Sequence, residues 1–175
     1  MLDVDLSILE FIQTHLTSKI GDVVMPFISC LGNGGMIWIC LAVILCCIPK
    51  YRKTGITLCV ALIADVLLCN VILKPLVARP RPFMSDSDVK LLISPPTDYS
   101  FPSGHTAVSF TSAFSLLFSK CKLWIPSMIM ASLIGFSRLY LYVHYPTDVF
   151  AGVLLGLIIG FLTDIIMKKI FEKIK

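Results

Sequence analysis

The chain has 175 residues with a formal net charge of +4, and 57% of them are hydrophobic against only 15% charged; its mean hydropathy is +0.88. That composition lies far from globular usage and excludes a soluble protein. The length leaves no room for a separate soluble module, so the chain reads as one domain over residues 1–175.

At the N-terminus, MLDVDLSILEFIQTHLTSK puts Leu2, Leu6, Leu9, Ile12 and Leu16 on one helical face, with Asp3, Ser7, Glu10 and Thr14 opposite. This pattern predicts an amphipathic helix over residues 1–20 lying on a bilayer surface. A cleaved signal peptide would start with basic residues, whereas the first charges here are Asp3 and Asp5, so the segment reads as retained. His15, with no ionisable company, reads as a solvated surface residue.

Apolar stretches follow from Val23 to Pro49, Thr54 to Leu73, Thr106 to Ser119, Leu123 to Ser137 and Val149 to Met167. As helices, each is about long enough to cross a hydrocarbon layer of about 30 Å. The predicted fold is therefore all-α, a polytopic membrane bundle of about five transmembrane helices over residues 23–172. Cys30, Cys40, Cys46, Cys47, Cys59 and Cys69 are scattered through these stretches without disulfide or zinc-ligand spacing and read as small buried side chains. Gly152, Gly156 and Gly160 recur every four residues in the last stretch and predict close approach of a neighbouring helix. Asp65 falls inside the second stretch, where an ionisable group needs a polar partner from its surroundings or from another helix.

Positive charge in short loops favours the cytoplasmic side. Lys50, Arg52 and Lys53, then Lys120 and Lys122, then Lys168, Lys169, Lys173 and Lys175 follow alternate spans, which puts these three clusters on one face. The other connections, KPLVARPRPFMSDSDVKLLISPPTDYSFPSGH and RLYLYVHYPTD, share the outer face with the N-terminal helix. They hold Lys74, Arg79, Arg81, His105, Arg138, His144 and Asp148. Snorkelling to headgroups would account for any one of these cations but not for two histidines, a carboxylate and several cations gathered on the less basic face.

Three motifs within those connections carry a family resemblance. KPLVARPRP has Lys, six residues, then Arg-Pro; PSGH follows; and SRLYLYVHYPTD has Ser-Arg, five residues, His, three residues, Asp. In this order they resemble the signature of the type 2 phosphatidic acid phosphatase (PAP2) superfamily, whose members include bacterial lipid phosphatases and soluble vanadium haloperoxidases. The resemblance covers nearly the whole chain from the second span onward.

The residue types suit phosphoryl transfer. A phosphate ester or diphosphate drawn towards an apolar wall needs compensating cations, which Lys74, Arg81 and Arg138 can supply. Ser103 and Gly104 would add backbone N–H groups at a helix N-terminus. Asp148 would accept the ring N–H of His144 and leave the other nitrogen free to attack phosphorus, while His105 would protonate the leaving oxygen. The resemblance implies the same roles, with a phosphohistidine on His144 that water then cleaves. It implies no metal and no other cofactor.

The partners expected are a lipid phosphate or diphosphate and membrane lipids, with no nucleic acid. The resemblance makes undecaprenyl diphosphate the leading substrate, with phosphatidylglycerol phosphate and phosphatidic acid behind it, for an enzyme of the bacterial plasma membrane whose site opens outward. A lipid phosphotransferase and a phosphate-lipid binding or transport protein without turnover remain as other readings. Five apolar spans disfavour a soluble haloperoxidase. Arg79, beside the matched Arg81, could meet a second phosphate or a lipid headgroup; the sequence leaves that open.

Overall fold

The computed structural model describes residues 2–85 and 89–174; Lys175, the last member of the third basic cluster, lies outside them. Helices α1 (Leu2–His15), α2 (Gly21–Leu31), α3 (Met36–Cys47), α4 (Arg52–Asp65), α5 (Lys74–Val77), α6 (Gly104–Phe118), α7 (Trp124–Tyr140) and α8 (Pro146–Lys173) follow in order, with no strand among the described residues. The all-α expectation holds.

The run from Val23 to Pro49 is two helices rather than one. Gly34 and Gly35 take φ of 59° and 70°, left-handed values that glycine adopts without a Cβ clash, and α2 meets α3 at 45°. The second run continues from α4 through a π-helical stretch, Val66–Leu73, directly into α5. Pro75 explains the wider turn, because its ring cannot fit against the carbonyl four residues earlier in a regular α-helix. Two helical segments, Pro49–Met84 and Pro146–Lys173, are long and apolar enough to span a bilayer, and the bent α2–α3 pair makes a third if it crosses as one. Helices α6 and α7, with 15 and 17 residues, are shorter.

Large apolar side chains point away from the bundle, among them Ile63 and Val71 on the second segment and Phe150 and Ile158 on α8. A face of that composition is expected against lipid. The cysteines follow the same division: all seven are free, and Cys69 and Cys121 are buried, but Cys30, Cys40 and Cys47 are exposed. The expectation of buried cysteines fails for those three because their helices turn them outward.

Helices α6 and α8 pack along the predicted glycine stripe. A Cβ at Gly152 would stand 2.9 Å from the Ser103 carbonyl oxygen, one at Gly156 2.6 Å from the Thr111 nitrogen, and one at Gly160 3.0 Å from the Ser115 nitrogen. Trp38, Leu58, Leu116 and Ile134 join α3, α4, α6 and α7 in the main core. Asp65 finds its partner in this region, accepting from Thr111 Oγ1 at 3.0 Å. Its neighbour is thus a threonine of α6.

The basic clusters gather at one end of the bundle. Lys53 lies over the Phe171 ring at 5.2 Å, and Lys168 donates to the Phe118 carbonyl at 3.3 Å. At the opposite end α1 covers the loop between α7 and α8, with Leu9 against Tyr142 and Tyr145 and Ile12 against Tyr140, Leu141 and Val143. Its buried stripe is Asp5, Leu9 and Ile12, while Leu2 and Leu16 are exposed. The amphipathic helix is therefore docked on protein along a face that includes a carboxylate. His15 is exposed and stacked on Phe11.

The tightest contact of the α8 glycine stripe gives a stability test. Gly156→Leu should destabilise the bundle by about 1–3 kcal/mol, the usual cost of overpacking, because the backbone of α6 has no flexible end to move aside. Unfolding in detergent, compared with a leucine substituted at the exposed Ile158, measures the difference.

Candidate active site

The three signature segments reach the same end of the bundle. Lys74 starts the short α5, whose C-cap at Ala78 turns the chain with φ of 50°. Arg81 follows in extended backbone. Arg138 projects from the last turn of α7. Beyond α7, Tyr142 takes φ of 57°, which folds the Val143 N–H back onto the Arg138 carbonyl at 3.2 Å and delivers His144. Pro146 then opens α8, with Asp148 in its first turn. Pro at the first helical position and Asp three residues into the helix are favourable local choices.

Lys74, Arg81, His105, Arg138 and His144 line one cleft of about 570 Å³, together with Ser29, Asn33 and Asp98. Lys74, Arg81 and Arg138 are 6%, 2% and 2% exposed, so their charges are largely removed from water. Arg138 donates to the Ser29 hydroxyl, and among the described residues its Nε has no partner. A buried guanidinium nitrogen of that kind calls for an acceptor, and a tetrahedral oxyanion supplies one.

Hydrogen bonding assigns the His144 tautomer. Arg81 Nη1 lies 3.1 Å from His144 Nε2, and guanidinium nitrogen can only donate, so Nε2 presents its lone pair. On the other side of the ring, Ser100 Oγ lies 3.4 Å from Nδ1 and gives its own proton to Asp148 Oδ2. The Nδ1 proton therefore faces Ser100 Oγ. Asp148 Oδ2 is 3.6 Å from Nδ1, too far for a direct hydrogen bond, and also accepts the Tyr145 N–H at 2.9 Å. Ser100 thus stands beside both His144 and Asp148, a position that no spacing in the sequence suggested.

Burial holds the His144 ring neutral, lowering its pKa to about 3; Asp148 pulls in the other direction, and the Arg81 and Arg138 charges press it down further. The folded ring takes up a proton far below the ordinary value near 6.5. Stability is therefore lost progressively as pH falls from about 6.5 towards 3, where only the unfolded chain gains that proton.

His105 heads α6, with Nε2 2.9 Å from Asn33 Oδ1, so Nε2 carries a proton. Gly104 stands where a Cβ would come 3.1 Å from Asn70 Oδ1 and 3.7 Å from Lys74 Nζ, and its lack of a side chain leaves that approach open. Ser103 serves differently from the expected anion donor. Its N–H goes to the Asp148 carbonyl at 3.1 Å and its hydroxyl accepts from Thr106 at 2.9 Å. It therefore ties α6 to the start of α8.

Two further carboxylates were not expected here. Asp98 pairs with Lys74 and accepts from Arg81 Nη2 at 2.6 Å. Burial raises its pKa, but the hydrogen bond and charge of Lys74, then those of Arg81, outweigh that and bring it to about 2. Asp98 is ionised at any working pH and occupies Lys74 and Arg81 donors that an anion entering the cleft would need. Arg79 is not among the residues that line the cleft. It bridges Asp148 Oδ1 at 2.6 Å and Asp5 Oδ2 at 2.8 Å.

A model of the PAP2 superfamily matches residues 54–172. This chain belongs to that superfamily. It is 41% identical to an undecaprenyl-diphosphatase of Sulfolobus acidocaldarius over 140 residues, which are 79% of this chain and 67% of that protein. It is 38% identical to undecaprenyl-diphosphatase BcrC of Bacillus subtilis over 55% of this chain and about half, 49%, of that protein. The fold is similar to the crystal structure of LpxE from Aquifex aeolicus, with a TM-score of 0.77 at 33% identity, covering 90% of this chain and 93% of the other. A transmembrane PAP2-type phosphatidylglycerolphosphate phosphatase of Bacillus subtilis gives 0.75 at 29% identity, over 99% of this chain and 87% of the other. This PAP2 chain is a membrane protein of the lipid-phosphatase type.

Asp98→Asn removes a competing anion while keeping a similar shape. Inorganic phosphate should then inhibit turnover at about tenfold lower concentration, corresponding to about 1.4 kcal/mol. Inhibition constants at neutral pH check this, and an unchanged constant would mean that Asp98 leaves the cleft at no cost.

Proposed function

We propose that this protein hydrolyses lipid diphosphates through a phosphohistidine, with undecaprenyl diphosphate as the principal substrate. The observation that carries the reading is the His144 tautomer: Nε2 offers a lone pair in a cleft lined by Lys74, Arg81 and Arg138, while Nδ1–H is held on the opposite side. The names of the Sulfolobus and Bacillus relatives support the substrate assignment.

In the first step the terminal phosphate displaces Asp98 from Lys74 and Arg81 and draws the Arg81 Nη1 donor off His144 Nε2, which frees that lone pair, and Arg138 engages the phosphate through Nε. His144 Nε2 attacks phosphorus; the bond to the bridging oxygen breaks, and that oxygen takes a proton from His105, which enters the step as an imidazolium once the negative charge of the bound phosphate offsets the surrounding cations and leaves it as the neutral imidazole. The imidazolium character developing on His144 is stabilised through Ser100 and Asp148. In the second step water attacks phosphorus, giving a proton to His105, and the P–N bond breaks to release inorganic phosphate. Fixed cations already aimed at the transferring group supply the electrostatic stabilisation, so the reaction needs neither metal nor other cofactor.

Phosphatidylglycerol phosphate is the second reading, favoured by the similarity of the whole chain to the Bacillus subtilis phosphatase structure. Phosphatidic acid is a third, less supported substrate. A binding or transport protein without turnover would not need both histidines and Asp148 in working geometry.

His144→Ala should abolish phosphate release, and Asp148→Asn should lower it by about 10³-fold or more. A panel in detergent containing undecaprenyl diphosphate, phosphatidylglycerol phosphate, phosphatidic acid and a water-soluble phosphate ester, run with and without EDTA, checks mechanism and substrate together. We expect highest efficiency on the lipid diphosphate, little on the soluble ester, and no effect of the chelator. Near-normal turnover by His144→Ala would sink the mechanism.

We further propose that the site opens to the outer leaflet of a bacterial plasma membrane, with five crossings made by α2–α3, α4–α5, α6, α7 and α8. Lys53, Lys122 and Lys168 mark the three basic clusters at the far end of the bundle, which favours that end as cytoplasmic. Single cysteines at the exposed Lys90 and Lys173, in a cysteine-free background, should respectively react with and resist an impermeant maleimide in intact cells. The reverse pattern would move the chemistry to the cytoplasmic leaflet.

A further inference from the structure

Asp5 is 1% exposed, an unusual state for a carboxylate on an N-terminal helix. Its Oδ1 accepts the Thr147 N–H at 3.0 Å. Its Oδ2 accepts from Thr147 Oγ1 at 2.6 Å and from Arg79 Nη2 at 2.8 Å. Arg79 continues the chain: Nη1 donates to Thr147 Oγ1 at 2.7 Å and to Asp148 Oδ1 at 2.6 Å, and the guanidinium lies 3.9 Å above the Tyr145 ring. The Arg79 carbonyl also accepts the Ser100 N–H at 2.9 Å. Through Arg79 and Thr147, Asp148 and the Ser100 backbone are thus tied back to Asp5.

We propose that Asp5 is a positioning residue of the phosphatase reaction, acting through Arg79 on Asp148, and that α1 is part of the catalytic apparatus. The inference rests on the phosphohistidine reading above. It goes beyond the superfamily match, which begins at residue 54. The physical basis is charge sharing. One guanidinium serves two buried carboxylates, so neither is fully neutralised, and Asp148 keeps enough negative charge to stabilise a positive His144. Without the Asp5 charge, Arg79 would bear on Asp148 alone and the carboxylate would serve His144 less well. Without the Asp5 contacts to Thr147, the first turn of α8 that carries Asp148 would lose an anchor.

The test compares Asp5→Asn, Asp5→Glu and Arg79→Gln with Glu10→Gln, a control at an exposed position on the same helix. Because Asp5 lies outside the phosphate cleft, Asp5→Asn should lower kcat by about tenfold while KM for the lipid diphosphate stays within about twofold, the pattern of a loss felt in the transition state. Asp5→Glu should recover part of that loss, and Glu10→Gln should match the wild type. Nitrogen NMR of the His144 ring supplies a readout that a merely structural role would not move: its Nδ1 signal should shift in Asp5→Asn and hold in Glu10→Gln. A wild-type kcat in Asp5→Asn, or a loss of kcat with an unmoved His144 signal, overturns the proposal. Should Asp5→Asn not fold, Arg79→Gln cuts the same chain at its middle and carries the same two expectations, an unchanged kcat again overturning it. A wild-type enzyme that turns over no lipid phosphate would instead count against the phosphatase reading itself.

Discussion

The outer end of this bundle is organised by the cost of keeping charge away from water. Lys74, Arg81, Arg138, Asp5 and Asp148 are each at most 6% exposed, and an isolated ion in such a place costs several kcal/mol even after relaxation. Each must therefore meet an opposite charge or a fixed dipole. Arg79 meets Asp5 and Asp148, Arg81 and Lys74 meet Asp98, and Arg138 meets Ser29. These pairings fix how loops far apart in sequence fit together. They also explain why α1 is docked on the bundle: its carboxylate satisfies Arg79 and the first turn of α8.

Helix packing sets the distances within which that pairing operates. The bare glycine edge of α8 brings its backbone against α6, close enough for the Ser103 N–H to reach the Asp148 carbonyl. The start of α6, with His105, and the start of α8, with Asp148, are consequently set by one contact. The wide turn before Pro75 similarly delivers Lys74 into the cleft from a helix otherwise facing lipid. Core packing and site geometry are coupled here, since a shift of α8 along α6 would move the Asp148 carboxylate relative to His144.

The residues that proved legible in the sequence are those whose spacing is enforced by local structure. His144 and Asp148 straddle a proline-started helix, and Lys74 and Arg81 flank a fixed break, so their intervals carry information. The apolar runs gave the helices, but hydropathy alone joined α2 to α3; the glycines at 34 and 35 are turn formers that signalled the break. Asp98, Ser100, Ser29 and Asn33 were hidden because their partners come from other segments, and nothing in their own neighbourhood is periodic. Asp5 was hidden for a different reason. Helical periodicity distinguishes an apolar face from a polar one, and it cannot mark a carboxylate that is buried because a cation from another loop reaches it.

The same arrangement reconciles burial with chemistry. A nucleophilic imidazole must be neutral before attack and must tolerate positive charge during it. Burial and the Arg81 and Arg138 charges keep His144 unprotonated, which meets the first condition; in the reaction proposed above, Asp148 and Ser100 serve the second. In that proposed reaction an entering phosphate would offset the two arginines with its negative charge and tip the balance towards a positive ring at the moment of attack. A site with the cations alone would hold phosphate and suppress its own nucleophile, and one with the carboxylate alone would repel the substrate. Both are needed, on opposite sides of one ring, and the loop between α7 and α8 is short enough to hold them there.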